Sequence, residues 1–171
     1  MAETPTPEPP TAGAQTVSAP DGTTHEVRSP PASGLLLPVR DARAIAAARA
    51  RGEDVRIGGK ALVVKVGEDF RLFVLSAARK LDSFAIKHHF AVKKLRFASP
   101  EELLQLTGLV PGSVPPFGKP ILPFALFVDA SILANEKIAF NAGSLTDSII
   151  MPVVDYLRIA RPKVFAFSSA G

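Results

Sequence analysis

The sequence predicts an α+β fold. In this fold helices pack outside a curved, barrel-like β-sheet that is mainly antiparallel or mixed. Segments typical of strands outnumber helical ones, and the two types are mixed without the strict strand–helix–strand alternation of a parallel sheet. Residues 61–66 and 71–75 are apolar and rich in β-branched side chains, and the turn 67–69 between them is polar. This arrangement predicts an antiparallel hairpin.

The other elements are predicted from local signals. The segment Ser99 to Glu102 places serine at the N-cap, proline at N1 and glutamate at N3, a capping box that predicts a helix start, and Gly108 ends that helix. The remaining predicted helices are 42–51 (capped by Asp41 and ended by Gly52), 81–90 and 152–160, and the remaining predicted strands are 92–97, 121–128, 137–141 and 163–167.

Composition predicts one globular domain with a tail. Of the 171 residues, 47% are hydrophobic and 21% charged, and a domain of this size buries enough apolar surface to fold without cross-links. Residues 1–36 contain seven of the 16 prolines. We therefore expect a disordered proline-rich leader over 1–36 and a folded domain over 37–171. The absence of cysteine excludes disulfides, thiolate metal sites and cysteine nucleophiles.

Charge and targeting signals predict a cytoplasmic protein. The net charge of +4 and the pI near 9.6 favour approach to a polyanion such as tRNA, although this excess is smaller than DNA-binding modules carry. No apolar stretch is long enough for a transmembrane helix, so no membrane partner is expected. The first 27 residues contain four acidic residues and no arginine, unlike an organelle transit peptide, and they lack the apolar core of a secretory signal.

Several common catalytic sites are excluded by spacing. The segment Gly112 to Lys119 is one residue too long for a nucleotide-binding P-loop, and Pro120 stands where that motif needs serine or threonine. Its two prolines also lack the N–H groups that bind phosphate. His88 and His89 are helix neighbours whose side chains point about 100° apart, so no metal site is predicted.

Three features remain as candidates for chemistry. Lys60 opens a strand, the loop Gly112 to Gly118 combines glycine and proline, and the small residues Asn141 to Ser144 directly follow a strand. Taken one at a time, each is equally consistent with an ordinary strand end or turn. Together, small residues let a ligand approach the backbone, whose N–H groups can bind a carbonyl oxygen as it becomes an oxyanion.

These residues resemble those of a known family, the YbaK/prolyl-tRNA-synthetase-associated editing domains. Lys60 to Val63 is similar to the family's Lys-Thr-Leu-Val strand, and Gly112 to Pro116 contains its Gly-x-x-x-Pro motif. The resemblance covers roughly residues 55–162 and further includes the segments 80–82, 92–102, 107–108, 140–144, Met151 and 155–157. The order and spacing of the segments make it specific.

The resemblance implies a trans-acting aminoacyl-tRNA deacylase that uses no metal or cofactor and acts on the acceptor end of mischarged tRNA, with an aminoacyl-tRNA synthetase as a second partner. It places Lys60 in the active cleft and the Gly-x-x-x-Pro loop against the aminoacyl group. We expect catalytic roles for Lys60 and Gly112, and substrate contacts from Ser113, Val114, Pro115, Pro116, Phe117, Gly118, Asn141, Gly143 and Ser144.

With no general base evident, we expect substrate-assisted hydrolysis. Lys60 would hold a phosphate or ribose oxygen, and backbone N–H groups near Gly112 and Gly143 would polarise the ester carbonyl. The family's alanine-specific branch has a His-Pro-containing segment ahead of its Asn, whereas here Phe140 precedes Asn141 and no histidine is nearby, so alanine specificity does not follow from the resemblance.

Two other functions fit the sequence. The domain could be a non-catalytic module of the same fold that binds tRNA or a synthetase through the basic residues Lys93, Lys94 and Arg96. Alternatively, the proline-rich leader could be the functional part, as a ligand for another protein.

Overall fold

The computed structural model describes residues 52–170 and, before them, only the backbone of two short strands. Short strands and short helices are mixed along this part of the chain, without strict alternation. The strands are β1 (Gln15–Ser18), β2 (Thr24–Val27), β3 (Gly59–Val66), β4 (Asp69–Ser76), β5 (Arg79–Leu81), β6 (Leu95–Phe97), β7 (Ala125–Asp129), β8 (Lys137–Asn141), β9 (Ser148–Pro152), β10 (Lys163–Phe165) and β11 (Ser168–Ala170). The helices are α1 (Ser83–His89), α2 (Pro100–Thr107), α3 (Ala130–Leu133) and α4 (Val153–Ala160), and a 3-10 turn spans Val55–Ile57.

Most of the predicted leader, residues 1–36, lies outside the described residues. The exception is β1 and β2, which pair antiparallel with each other, a pairing that the proline-rich composition did not predict. The predicted helix 42–51 also lies outside the described residues.

The central sheet is mixed and has the order β10-β7-β4-β3-β6. The predicted hairpin is confirmed, since β3 pairs antiparallel with β4 from Gly59 opposite Ser76 to Val66 opposite Asp69. β6 joins β3 antiparallel, whereas β7 joins β4 and β10 joins β7 in parallel. Outside this sheet, β8 pairs with β9 and β5 with β11, both antiparallel. The prediction of an α+β fold with a mixed sheet and outer helices is confirmed, although the described strands form separate sheets instead of a closed barrel.

Both faces of the central sheet are covered. Along β4, Leu72 and Val74 point to one face and Phe73 and Leu75 to the other, as alternation in a strand requires. The first face packs against the loop before β7, the β8–β9 hairpin and α4, and we call it the loop face. The second packs against α1 and the segment around Phe167, and we call it the helix face.

Element boundaries differ from prediction where proline or tertiary pairing decides them. The strand predicted over 121–128 begins at Ala125, since Pro123 has no N–H to donate to a neighbouring strand. Leu81, predicted as the first helical residue, instead belongs to β5, and Asp82 caps α1. The strand β9 was not predicted.

The predicted capping box of α2 is confirmed. The Ser99 hydroxyl accepts a hydrogen bond from the Glu102 N–H, and the Glu102 carboxylate accepts one from the Ser99 N–H. The same carboxylate receives two hydrogen bonds from Arg96, at 2.6 and 2.7 Å. The Arg96 bonds and then the Ser99 N–H lower the pKa of Glu102 from 4.5 to about 2.

We expect this ion pair to make stability fall on acidification. Because the pKa of Glu102 is lower in the folded chain, its contribution is fully present above pH 4.5 and is lost as the pH falls towards 2. Glu102→Gln should therefore flatten the dependence of the urea unfolding midpoint on pH across this range. Glu136→Gln, which changes an exposed glutamate elsewhere, should leave the dependence as in wild type, and an equal flattening in both variants would contradict the assignment.

Candidate active site

The loop 109–120 contains no helix or strand but is fixed by hydrogen bonds. The Ser113 side chain is buried, and its hydroxyl donates to the Val110 carbonyl at 2.9 Å and accepts from the Val110 N–H at 3.2 Å. The Ser113 N–H also donates to the Val110 carbonyl. Ser113 therefore closes a tight turn that overlaps the start of the Gly-x-x-x-Pro segment, and its hydroxyl is engaged within that turn.

The structure brings the two predicted glycine-bearing turns together. The Asn141 side-chain amide donates to the Gly112 carbonyl at 2.7 Å, and the Gly143 N–H donates to the Ser113 carbonyl at 3.0 Å. Gly112 and Gly143 have φ values of 93° and 80°, a region that favours glycine. The side-chain amide oxygen of Asn141 (Oδ1) in turn accepts from the Ser148 hydroxyl at 3.1 Å. Thus Asn141 connects the loop to the β8–β9 hairpin.

A buried tyrosine, Tyr156, holds the end of the Gly-x-x-x-Pro segment. The Tyr156 hydroxyl, on α4, donates to the Pro116 carbonyl at 2.8 Å, and its ring packs edge-on against Phe117. Phe117 also packs edge-on against Phe140 of β8. Burial raises the pKa of Tyr156, which keeps its hydroxyl protonated and able to donate. Sequence analysis did not assign this role to Tyr156, although it is the single tyrosine of the chain.

The hydrogen bonds also decide which backbone donors are available to a substrate. The Gly143 N–H, expected to polarise a carbonyl, is already used on Ser113. Pro115 and Pro116 have no N–H. Within the described part of the chain, the N–H groups of Phe117 and Gly118 donate to no other residue, and neither do those of Gly112 and Val114. The Gly112 and Val114 donors flank Ser113 and lie on one short stretch of backbone.

Lys60 lies near the start of β3, and its side chain points to the face of the sheet opposite this loop. A parallel bridge joins Gly58 to Ala139. Two residues further along each of these segments are Lys60 and Asn141. The Ile138 side chain covers Gly59, where an added Cβ would come within 2.8 Å of it. Alternation along β3 directs Lys60 to the helix face with Leu62, and its ammonium donates to the Arg79 carbonyl.

The remaining predicted substrate contacts occupy different environments. Gly118 is buried against β7, where an added Cβ would come within 2.7 Å of the Phe124 carbonyl oxygen, so its size is explained by packing. Val114 is buried in the core of the loop face. The Ser144 hydroxyl lies 2.9 Å from the Thr146 hydroxyl and accepts from the Thr146 N–H, which folds the turn after β8.

Neither a metal site nor a membrane-spanning helix is found in residues 52–170. In residues 52–170 no three His, Cys, Asp or Glu side chains group in a way that could hold a metal ion. None of the helices in the described part is long and apolar enough to cross a membrane. A cleft of about 480 Å³ lies beside the β3–β4 turn, lined among others by Phe70, Leu106 and Phe124, and it includes no predicted site residue.

If Asn141 positions the loop, removing its donor should impair the site. Asn141→Asp keeps the side-chain size but sets an acceptor against the Gly112 carbonyl oxygen, so the loop should move. Displacements of about 1 Å can cost roughly 100-fold in rate, and we expect a loss of that order in kcat for ester hydrolysis with a smaller change in KM.

Asn135→Asp is the matched control for this change. Its amide donates to the Arg56 carbonyl at 2.9 Å, a bond of the same kind away from the loop. We expect a similar loss of thermal stability and unchanged hydrolysis. Equal loss of activity in the two variants would mean that the effect of Asn141 is on stability alone.

The chain matches a family model and is similar to several known proteins. The family described as an aminoacyl-tRNA editing domain matches residues 39–159. The chain is 38% identical over 123 residues to the multifunctional Ser/Thr-tRNA deacylase ProXp-y of Escherichia coli (strain K12), covering 68% of this chain and 72% of that protein. It is 38% identical over 96 residues to a proline–tRNA ligase of Shouchella clausii (strain KSM-K16), covering 56% of this chain and 17% of the ligase.

A solved structure extends the likeness to the fold. A protein described as a candidate trans-editing enzyme for prolyl-tRNA synthetase superposes with a TM-score of 0.72 at 26% identity, over 85% of this chain and 87% of that one.

Proposed function

Because the chain belongs to the aminoacyl-tRNA editing domain family, we propose that it is a trans-acting deacylase that hydrolyses the ester joining a wrongly attached amino acid to tRNA. The observation that carries this proposal is the fixed loop: Asn141 and Gly143 hold its start, Tyr156 holds its end, and the Gly112 and Val114 N–H groups donate to no other described residue. A rigid pair of backbone donors is what an ester carbonyl needs as it becomes tetrahedral.

In this mechanism the Gly112 and Val114 N–H groups bind the ester carbonyl oxygen and stabilise the negative charge that develops on it. Each such donor contributes roughly 3–4 kcal/mol to transition-state stabilisation. The Lys60 ammonium, steadied by the Arg79 carbonyl, holds a phosphate or ribose oxygen of the terminal nucleotide. Water is activated by the substrate, through the ribose 2′-OH or a group on the amino acid, and neither a metal nor a cofactor takes part.

The substrate is the acceptor end of a mischarged tRNA. A relative is named as a Ser/Thr-tRNA deacylase, and the turn after β8 carries the hydroxyls of Ser144 and Thr146, so serine and threonine are our first candidates for the amino acid removed. Phe117 and Ser144 are our candidates for shaping the pocket that admits the side chain, whereas Val114, also expected there, is buried in the core. A synthetase is a second partner, and the cytoplasm, where tRNA is charged, is the compartment in which the reaction occurs.

The test is deacylation of tRNAs charged with serine, threonine, alanine, cysteine and proline, using the full chain. We expect rapid hydrolysis of at least one mischarged tRNA and little hydrolysis of correctly charged prolyl-tRNA. A substrate whose terminal ribose lacks the 2′-OH reports whether that group activates the water. Failure to release any amino acid from the whole panel would overturn the proposal.

A non-catalytic tRNA- or synthetase-binding module is the second candidate. It was expected to use Lys93, Lys94 and Arg96, but Arg96 is held by Glu102. Such a module would bind charged tRNA without releasing amino acid, so the panel separates the two functions. Deleting residues 1–34 tests whether the leader is the functional part, because a deacylase should keep its activity.

A further inference from the structure

The lysines around α1 form a surface that the proposed chemistry does not use. Residues 83–100 contain no aspartate or glutamate. Lys87 lies in the last turn of α1, and Lys93 and Lys94 follow it as exposed residues. In residues 52–170 none of these three lysines has a carboxylate within salt-bridge distance, whereas Arg96 is paired with Glu102.

A fourth lysine lies beyond the end of α1, on the edge strand of the sheet opposite β6. Lys163 of β10 is exposed, and its ammonium lies 6.0 Å from the centre of the Phe127 ring. Phe127 packs on Phe90, the residue that ends α1, at a ring separation of 5.1 Å. We call Lys87, Lys93, Lys94 and Lys163 the basic face.

Two acidic residues at the β3–β4 turn, beside Lys94, already have partners. Glu68, in the turn beside Lys94, is paired with Lys65. Asp69 is paired with Arg71, whose guanidinium also lies 4.3 Å from the centre of the Phe90 ring. The field of the basic face is therefore not cancelled by these carboxylates, and it attracts polyanions.

The position of the basic face relative to the candidate active site selects the kind of polyanion. The Gly67 N–H contacts the Lys94 carbonyl at the far end of β3 from Lys60. Seven residues of extended strand separate Lys60 from Gly67, roughly 23 Å at about 3.3 Å per residue. A terminal nucleotide held near Lys60 cannot reach Lys94, but the acceptor-stem duplex that follows the single-stranded CCA end can.

We propose that the basic face binds the phosphate backbone of the acceptor stem of charged tRNA, independently of its sequence, while the terminal nucleotide occupies the loop site. This inference rests on the proposed function. Compact ammonium groups spread over one face suit sequence-independent contact with phosphates. The basic face therefore contributes to substrate affinity and leaves the chemical step unchanged.

The test compares Lys93→Gln/Lys94→Gln with wild type on two substrates: a full-length charged tRNA and the same amino acid esterified to the trinucleotide CCA, which lacks a stem. With tRNA at about 0.1 M salt we expect a roughly tenfold higher KM, an unchanged kcat, and a salt dependence of log(kcat/KM) reduced by roughly one per lysine. Hydrolysis of the trinucleotide ester should be unchanged.

Lys137→Gln/Arg158→Gln is the matched control, since it also removes two positive charges but from the other elements β8 and α4. An equal rise in KM in the control, or no rise in the Lys93/Lys94 variant, would overturn the proposal. So would loss of affinity for prolyl-tRNA synthetase with tRNA binding intact. If wild type hydrolyses neither substrate, the proposed function fails, and fluorescence anisotropy with labelled tRNA still decides whether the basic face binds RNA.

Discussion

Gly112→Ala should lower kcat/KM for deacylation by about 100-fold or more. Gly112 has a φ of 93°, which a residue with a Cβ adopts only under strain, so the peptide on either side should rotate. That rotation would misdirect the Gly112 N–H and disturb the carbonyl that Asn141 holds. Loss of one oxyanion donor costs roughly 100- to 1,000-fold in rate. Single-turnover deacylation of the best substrate measures the effect.

Gly108→Ala provides the control for strain. Gly108 has a φ of 72° at the end of α2, with no atom within 4 Å of an added Cβ, so the two variants bear a similar backbone penalty of about 1–2 kcal/mol. We expect comparable losses of thermal stability and normal activity for Gly108→Ala. Comparable activity losses would show that the Gly112 effect is general destabilisation.

Lys60→Ala should reduce kcat/KM by roughly 10- to 100-fold. A hydrogen bond from a charged group contributes about 1.5–3 kcal/mol, and in this site the ammonium is already oriented by the Arg79 carbonyl. Lys60→Arg should recover little activity, because a planar guanidinium does not replace a compact ammonium held at one carbonyl.

Lys80→Ala is the comparison for Lys60, since it removes an exposed lysine from the neighbouring strand β5. It should retain wild-type kinetics. Wild-type rates for Lys60→Ala would remove Lys60 from the mechanism, and the loop donors alone would then carry the reaction. The contributions of Lys60 and of the loop donors can be separated by mutation. Lys60 lies on the helix face, whereas Gly112 lies in the loop that packs on the other side.

Local sequence signals predicted the elements whose stability is local. The β3–β4 hairpin follows from two apolar runs and a turn, and the start of α2 follows from a serine, a proline and a glutamate at fixed spacing. Elements whose pairing is distant were missed or misplaced. β5, for example, gains its partner from β11. β9 is a different case, because it pairs with its neighbour β8 and its short apolar run was missed.

The same division holds for the candidate site. Glycines and prolines in the sequence marked the loop and the turn after β8, and the structure joins them through Asn141 and Gly143. The support from Tyr156 spans 40 residues of sequence and could not be read from spacing. The sequence could not show that the Gly143 N–H is already hydrogen-bonded. Its acceptor, the Ser113 carbonyl, comes within reach only because the two turns lie together in the fold.

By itself, the sequence determined the α+β class, the hairpin, the capped helix and the residues of the glycine–proline loop, because these depend on backbone preferences within a few residues. Only the tertiary structure decided which N–H groups the loop leaves available, that Tyr156 fixes its end, and that the loop covers the face of the sheet opposite Lys60. Those outcomes depend on hydrogen bonds between segments that meet only once the sheet has formed.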